Sequence, residues 1–464
     1  MRDEHPKREQ LSFGYALLIL SVSFFVILLP TLLLQTKVQP LFFLAWTASF
    51  LLLRGKGYPF EALQTGMTDS CKKAVSPILI LFCSGAMIGA WNQCGAIPFM
   101  TAVGVSIIRA QWYLPVAFCV VLLFAFLTGT VFGACGTVGS VLLAIGRSMG
   151  FPAQLCVGAV TAGGFLGYAL SPAADCTNAA ASLAGVDLMK SIQYQGRMTG
   201  PAAVLCAVMY GVLNRLVPLE GGTGAGGEAF YQELTISMRL GWPALLPLVL
   251  VVVLLVKRQP TVITLASGAL AGVLLSLFYQ RVSVKQAVQA LWEGGNFSDW
   301  TGDLLRVFET GGIKSMADTA ILFVFAFALF GLFESGGVTE AVLGPLLNWA
   351  DQSWKGDLVT VLAGFVTNLI SASGMCSFIF TASCLAPIYA KRGWNRLDLV
   401  RSAFVGCLFM SLWIPWHSNV ITPAALMGVE DGQTGFLTAV PALILLCYIL
   451  LEALSYGRRR GAKK

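Results

Sequence analysis

Long apolar runs, broken by short polar stretches, set the pattern of this chain. Residues 11–35, 38–53, 114–145, 240–256, 260–280, 320–333 and 437–451 are almost free of charge. A bilayer core takes roughly 20 apolar residues in helical geometry, so many of these runs are long enough to cross one. The strict apolar–polar alternation of a membrane barrel is missing, and each run can satisfy its backbone internally as a helix. The pattern predicts an all-α polytopic membrane protein. Counting segments gives about 10–13 transmembrane helices, the uncertainty lying where glycines interrupt a run.

Composition agrees, with 56% hydrophobic and 11% charged residues, where soluble domains carry about a quarter charged. The net charge of +7 is confined to clusters beside apolar runs: Arg2, Lys7 and Arg8, Lys72 and Lys73, Lys257 and Arg258, 391–401, and 458–464. Basic residues so placed mark cytoplasmic loops, which puts both termini inside and gives no nucleic-acid signature. The first run is too long for a signal-peptide core and is read as a retained span. The twelve cysteines show no CxxC pair and no disulfide-like spacing, and read as small core residues.

Two halves flank the Gly-rich stretch EGGTGAGGE at 220–228, a flexible connector by composition. GAWNQCGAI from Gly89 and GLFESGGV from Gly331 share an offset of 242 (331 − 89 and 337 − 95). Pro172 and Pro415 are 243 apart (415 − 172). The loop opening the first half, 54–73, has four basic and two acidic residues, whereas 281–314 has four of each. The first should therefore be cytoplasmic and the second external. Two similar halves of opposite orientation form inverted-topology repeats, an architecture that places the substrate site near the midplane on broken helices. The expected organisation is N-terminal helices to residue 57, a first repeat over 58–218, a connector over 219–239 and connecting helices over 240–282. A second repeat over 283–456 and a basic cytoplasmic tail over 457–464 complete it.

Candidate chemistry concentrates in GGFLGYALSPAADCTN, 163–178. Proline removes a backbone donor and frees carbonyls, so a helix should break at Ser171-Pro172. Beyond the break lie Asp175, Thr177 and Asn178. An aspartate at a helix centre costs about 2.5–3.5 kcal/mol on insertion scales and is seldom idle there. Carboxylate, hydroxyls, amide oxygen and unwound carbonyls suit a hard cation such as Na+, and a carboxylate can hold a proton instead. That competition suffices for exchange. The plainer reading, an interfacial aspartate capping the next helix, is the less favoured.

SPAADCTNAAASLAGVDL resembles the signature of NhaC-type sodium/proton antiporters of the ion transporter superfamily, in which S-P-x-x-D-T-T-N precedes a small-residue helix and G-x-D-L. GTVFGACGTVG at 129–139, NFSDWTGDLLRVFETGGIKSM at 296–316 and IPWHSN at 414–419 are similar to further motifs of that family, in its order. The resemblance spans about 58–429. It implies a secondary active transporter of the plasma (inner) membrane, not an enzyme, working by alternating access. Na+ and H+ would be the exchanged ions, with no other cofactor, and Asp175, Thr177 and Asn178 would hold Na+. Its partners would be the lipid bilayer and a small ion or small molecule, and a homo-oligomer is compatible with it.

There are departures. Gly167-Tyr168-Ala169 replaces an acid and a base, Ser373 stands at an acidic or amide position, and His417 follows Trp416. These changes motivate an alternative, an organic carboxylate or amino acid moved with or against Na+ or H+. Ser171, Ser373, His417 and Asn419 complete the candidate site. His417 could relay a proton or bond a carboxylate; equally, it could satisfy a carbonyl freed at the proline kink. Glu334 reads as an interfacial or a coupling carboxylate, and Asp318, like Asp69, as a helix-start residue. Gly129, Gly133, Gly136 and Gly139 give one helix a smooth face. With histidines only at 5 and 417, H-E-x-x-H zinc chemistry cannot be built, and no Walker-type loop is present. A channel remains the competing class. Flux that requires an opposing ion gradient separates the two.

Overall fold

The computed structural model describes residues 11–34, 38–217, 234, 238–295, 308, 311–349, 352–371, 373–415, 417–429 and 439–461. Among them there is no strand. The chain opens with α1 (Phe13–Leu34) and α2 (Val38–Gly55), then α3 (Phe60–Gln93) and α4 (Ala96–Ile107). α5 (Tyr113–Thr128) and α6 (Val131–Ser148) form a helical hairpin; α7 (Ala153–Leu170), α8 (Asp175–Ala184) and α9 (Leu188–Leu216) close the first half. α10 (Leu246–Val256) and α11 (Thr261–Gln280) lead through the amphipathic α12 (Val284–Glu293) to the second half. There α13 (Ala317–Ser335), α14 (Val338–Trp349), the hairpin of α15 (Ser353–Ser371) and α16 (Gly374–Arg392), α17 (Arg396–Trp413), α18 (Ser418–Leu426) and α19 (Val440–Gly461) follow in order.

Seven helices of the described residues are long and apolar enough to span a membrane, or eight if the bent pair α17–α18 counts as one. Shorter apolar helices over Phe13–Ile27, Ala96–Ile107 and Trp242–Val256 add to these. The protein is an all-α, multi-pass membrane protein. Span counting from sequence gives a larger number because broken spans contribute pieces shorter than a bilayer is thick.

Helix bounds recur along the chain. α14 lies 242 positions after α4 at both ends (338 − 96 and 349 − 107), and α17 lies 243 after α7 (396 − 153 and 413 − 170). Packing recurs at the same interval. A Cβ on Gly163 of α7 would sit 2.3 Å from the Phe118 carbonyl oxygen of α5. One on Gly406 of α17 would sit 2.5 Å from the Val361 oxygen of α15. Each glycine lets a backbone approach that any side chain would hold apart, which is how tight helix crossings form where lipid gives no hydrophobic drive.

The glycine-rich face of α6 is used in the same way. Cβ atoms on Gly136 and Gly139 would meet Ser84 of α3 and Val160 of α7. The local helix there, Cys135–Gly139, widens into a π-turn.

One buried ion cluster ties the halves together. Arg401 of α17 is 5% exposed and reaches Asp357 of α15 at 3.2 Å and Asp398 at 3.3 Å. The Tyr194 hydroxyl of α9 donates to Asp398, and that of Tyr389 in α16 donates to Asp357 at 3.0 Å. Burying these charges is tolerable because each carboxylate receives both a guanidinium and a phenol. Cys94, Cys135, Cys156, Cys206 and Cys407 are buried free thiols.

Candidate functional site

Two interruptions, one in each half, build the site. In the first, α7 ends at Leu170 and the chain turns extended at Ser171 before α8 begins at Asp175. The Ser171 hydroxyl accepts from the Ala173 N–H at 3.1 Å. The Asn178 amide donates to the Pro172 oxygen at 3.1 Å and the Ala174 oxygen at 2.7 Å. The Tyr168 oxygen, which an N–H at position 172 would have served, accepts from the Ser171 N–H at 3.1 Å instead, and the Asn178 amide serves oxygens further along the break. Thr177 is fully buried, and its hydroxyl has no hydrogen-bond partner among the described residues. The Asp175 backbone opens α8, while its side chain lies outside the described residues.

In the second interruption, α17 ends at Trp413, and α18 leaves at 58° to it. His417 caps α18, its Nδ1 accepting from the Asn419 N–H at 3.0 Å. Its Nε2 lies 3.2 Å from the Asn368 Oδ1 of α15. The Asn368 Nδ2 donates to the Gly406 and Cys407 oxygens, at 2.9 Å each. That orientation makes Oδ1 an acceptor, so Nε2 must carry the proton and Nδ1 must be bare. His417 is a neutral tautomer with both nitrogens used, and none of it is exposed. Asn419 donates in turn to the Ser411 hydroxyl at 2.8 Å. Trp416 lies outside the described residues.

A hairpin tip closes on each interruption. Gly129, between α5 and α6, has φ 70° and would bring a Cβ within 2.6 Å of the Ala173 carbonyl carbon. Gly374, at the start of α16, would bring one within 2.8 Å of the Asn419 Nδ2. Both tips and both interruptions border one cavity of about 580 Å³. Since a water occupies ≈ 30 Å³ of liquid, this space is much larger than a cage for one bare ion.

Ser373 and Asn419 line the cavity, as do Ala173 and Cys176 on either side of Asp175. Ser171, Thr177, Asn178 and His417 do not line it; the first two and His417 are buried behind its wall, and Asn178 is exposed away from it. The wall also carries residues to which sequence reasoning gave no role: Thr128, Thr130, Ser418 and Thr422, and the basic Lys73 and Arg258. The last two carried only a topological meaning in the sequence. Tyr168, noticed there merely as a departure from a motif, lines the cavity too. Glu334 pairs with Lys73 at 3.4 Å, both side chains being about half exposed. Asp318 falls in the first turn of α13, in keeping with a helix-start role, whereas Asp69 lies inside α3 rather than at its start and pairs with Lys72 at 2.8 Å.

The Na+/H+ antiporter family model matches residues 10–214 and again 174–457. The chain belongs to that family. It is 28% identical over 374 residues to the Na+/H+ antiporter NhaC of Bacillus subtilis, covering 80% of this chain and 83% of the relative. It is 27% identical over 414 residues to the malate-2H+/Na+-lactate antiporter of the same organism, covering 89% and 88%. The arginine/ornithine antiporter ArcD of Halobacterium salinarum is 26% identical over 422 residues, covering 90% and 87%. The family is one of transporters.

Proposed function

We propose that this chain is a secondary Na+/H+ antiporter that works by alternating access around the cavity between its two interruptions. The observation that carries the reading is their convergence: beside breaks 243 positions apart, at Pro172 and Pro415, Ala173 of the first and Ser418 and Asn419 of the second line a single space together with two hairpin tips. Half-helix ends suit ion transport. C-terminal carbonyls, as at the ends of α5 and α7, favour cations, while N-terminal amides favour anions. In this reading Asp175 at the head of α8 takes Na+ or H+ in turn, with oxygens of the first interruption completing its shell. His417 and Asn178 position the interruptions and stay out of the exchange. The recurring helix bounds support two inverted-topology repeats, and the basic loops support a plasma (inner) membrane location with both termini cytoplasmic.

The test is proton movement in proteoliposomes of purified protein, followed with a pH-sensitive dye during pulses of Na+, Li+ or K+. Sodium-dependent collapse of a preset pH gradient is expected, and its loss is expected in Asp175→Asn. Exchange that survives this substitution unaltered would remove the carboxylate from its role.

One observation favours a second reading, in which an organic solute shares the cavity. Its volume suits a small molecule, and no carboxylate lines it among the described residues. The names of the malate/lactate and arginine/ornithine relatives point the same way.

A further inference from the structure

We propose that α12 is a membrane-interface helix, its Val284, Val288 and Trp292 edge resting between lipid headgroups and acyl chains. Its ten residues extend about 15 Å, half the thickness of a bilayer core, so it cannot cross one. A capping box fixes its start. The Ser283 hydroxyl accepts from the Gln286 N–H at 3.3 Å, and the Gln286 side chain accepts from the Ser283 N–H at 3.1 Å.

At roughly 100° per residue, three arcs follow one another around this helix. Ala287 and Ala290, each 1% exposed, form the first together with the half-buried Leu291. Ala287 and Leu291 share a small core with Ala90 of α3 and with Val273 and Leu277 of α11. A Cβ on Gly89 of α3 would sit 2.1 Å from the Ala290 oxygen, so the backbones there are in contact. Val284, Val288 and Trp292 form the second arc, and they are 66%, 53% and 56% exposed. Lys285, Gln286, Gln289 and Glu293 form the third and are exposed as well. One arc is met by protein, one needs an apolar surrounding and one needs water. The edge of a bilayer supplies the last two side by side.

The packing also sets the depth. Val273 and Leu277 lie in the closing turns of α11, which ends at Gln280, and the stretch from Val273 to Gln280 is about 10 Å long. Amphipathic helices seat their apolar face at about this depth, 5–10 Å into the headgroup boundary. Leu270, Leu274 and Phe278 are exposed at intervals of four and carry the lipid-facing stripe of α11 to the same end. There the Tyr279 hydroxyl would meet a Cβ on Gly241, next to the exposed Trp242. Tyrosine and tryptophan gather at membrane–water interfaces, and Trp292 extends that belt. A second copy of the chain suits the edge less well. Three side chains fall far short of the roughly 20–30 residues a side of a stable protein interface.

The experiment uses the full chain in liposomes, with photoreactive benzoylphenylalanine replacing Val288, Gln289 or Phe278, the last as a yardstick for lipid contact. After illumination, intact-mass spectrometry separates lipid adducts from crosslinked dimers. Position 288 is expected to give as much lipid adduct as position 278, and several-fold more than position 289. A second measurement takes the tryptophan fluorescence of the wild type minus that of Trp292→Phe. This difference should be quenched more by phospholipid brominated near the headgroup than by phospholipid brominated near the chain end. A crosslinked dimer at 288 would give the edge to a second copy and overturn the proposal. Little adduct at 288 beside a strong one at 278, equal adducts at 288 and 289, or stronger quenching from the chain end would each overturn it too.

Discussion

The two interruptions look alike in sequence, each a proline after a polar or apolar helix end, yet they are held in different ways. The first satisfies itself: Ser171 and Asn178 bond carbonyls and an N–H within the same short stretch. The second is braced from outside, through His417 to Asn368 of another helix and on to Gly406 and Cys407 of a third. A self-capped turn can move as a unit without breaking distant bonds, whereas a cross-braced one is fixed to its neighbours. The difference supports the proposal that exchange belongs to the first interruption and support to the second.

The largest effect that would break this comparison is on transport. Asp175→Asn should abolish sodium-dependent proton movement, while Asn419→Ala, on the cavity wall of the braced side, should leave a measurable rate. Equal loss in both would erase the distinction.

The hairpin tips come next. Gly129→Ala combines a left-handed backbone with a clash against the Ala173 backbone, and should cost on the order of 1–3 kcal/mol. Gly374→Ala meets only the end of the Asn419 side chain, which can shift, so its cost should be smaller. Thermal unfolding in detergent compares the pair, and a larger loss at Gly374 would reverse the assignment.

His417→Ala should cost about 1–3 kcal/mol, because the Asn419 N–H and the Asn368 oxygen lose their buried partner. His417→Gln should leave the pH profile of exchange where it is. Protonating the ring would set an N–H donor at Nδ1 against the Asn419 N–H donor, so the charged form has no place in this network. A profile that shifts in the glutamine variant would make His417 a proton carrier after all. The smallest effect is expected for Asn178→Ala, about 1 kcal/mol, because the Ala174 oxygen keeps the backbone N–H of residue 178 as its partner.

Much of the framework was legible in the chain because its causes are local. Apolar runs dictate spanning helices, and a proline's missing N–H breaks a helix wherever it falls. The breaks at Pro172 and Pro415 and the offset of the halves could therefore be read directly. So could the belonging to an antiporter family, carried by contiguous motifs such as 171–188. Site chemistry was less legible. Ser373 was found through its position in a family motif, and Asn419 because it sits beside a break. Thr177 and His417 share that proximity and still lie behind the wall, since the direction a side chain takes depends on what packs against its helix.

By itself, then, the sequence determined an all-helical membrane protein with two broken halves and a cluster of oxygen-bearing side chains around Asp175. Only the tertiary structure decided which of those groups share a space. Lys73 and Arg258 are 185 positions apart (258 − 73) and read along the chain only as loop markers, yet both face the cavity. The tautomer of His417 was fixed by Asn368, 49 positions away. Contacts of that range are set by helix packing. No local propensity encodes them, and in this protein they separate the residues that line the cavity from those that brace it.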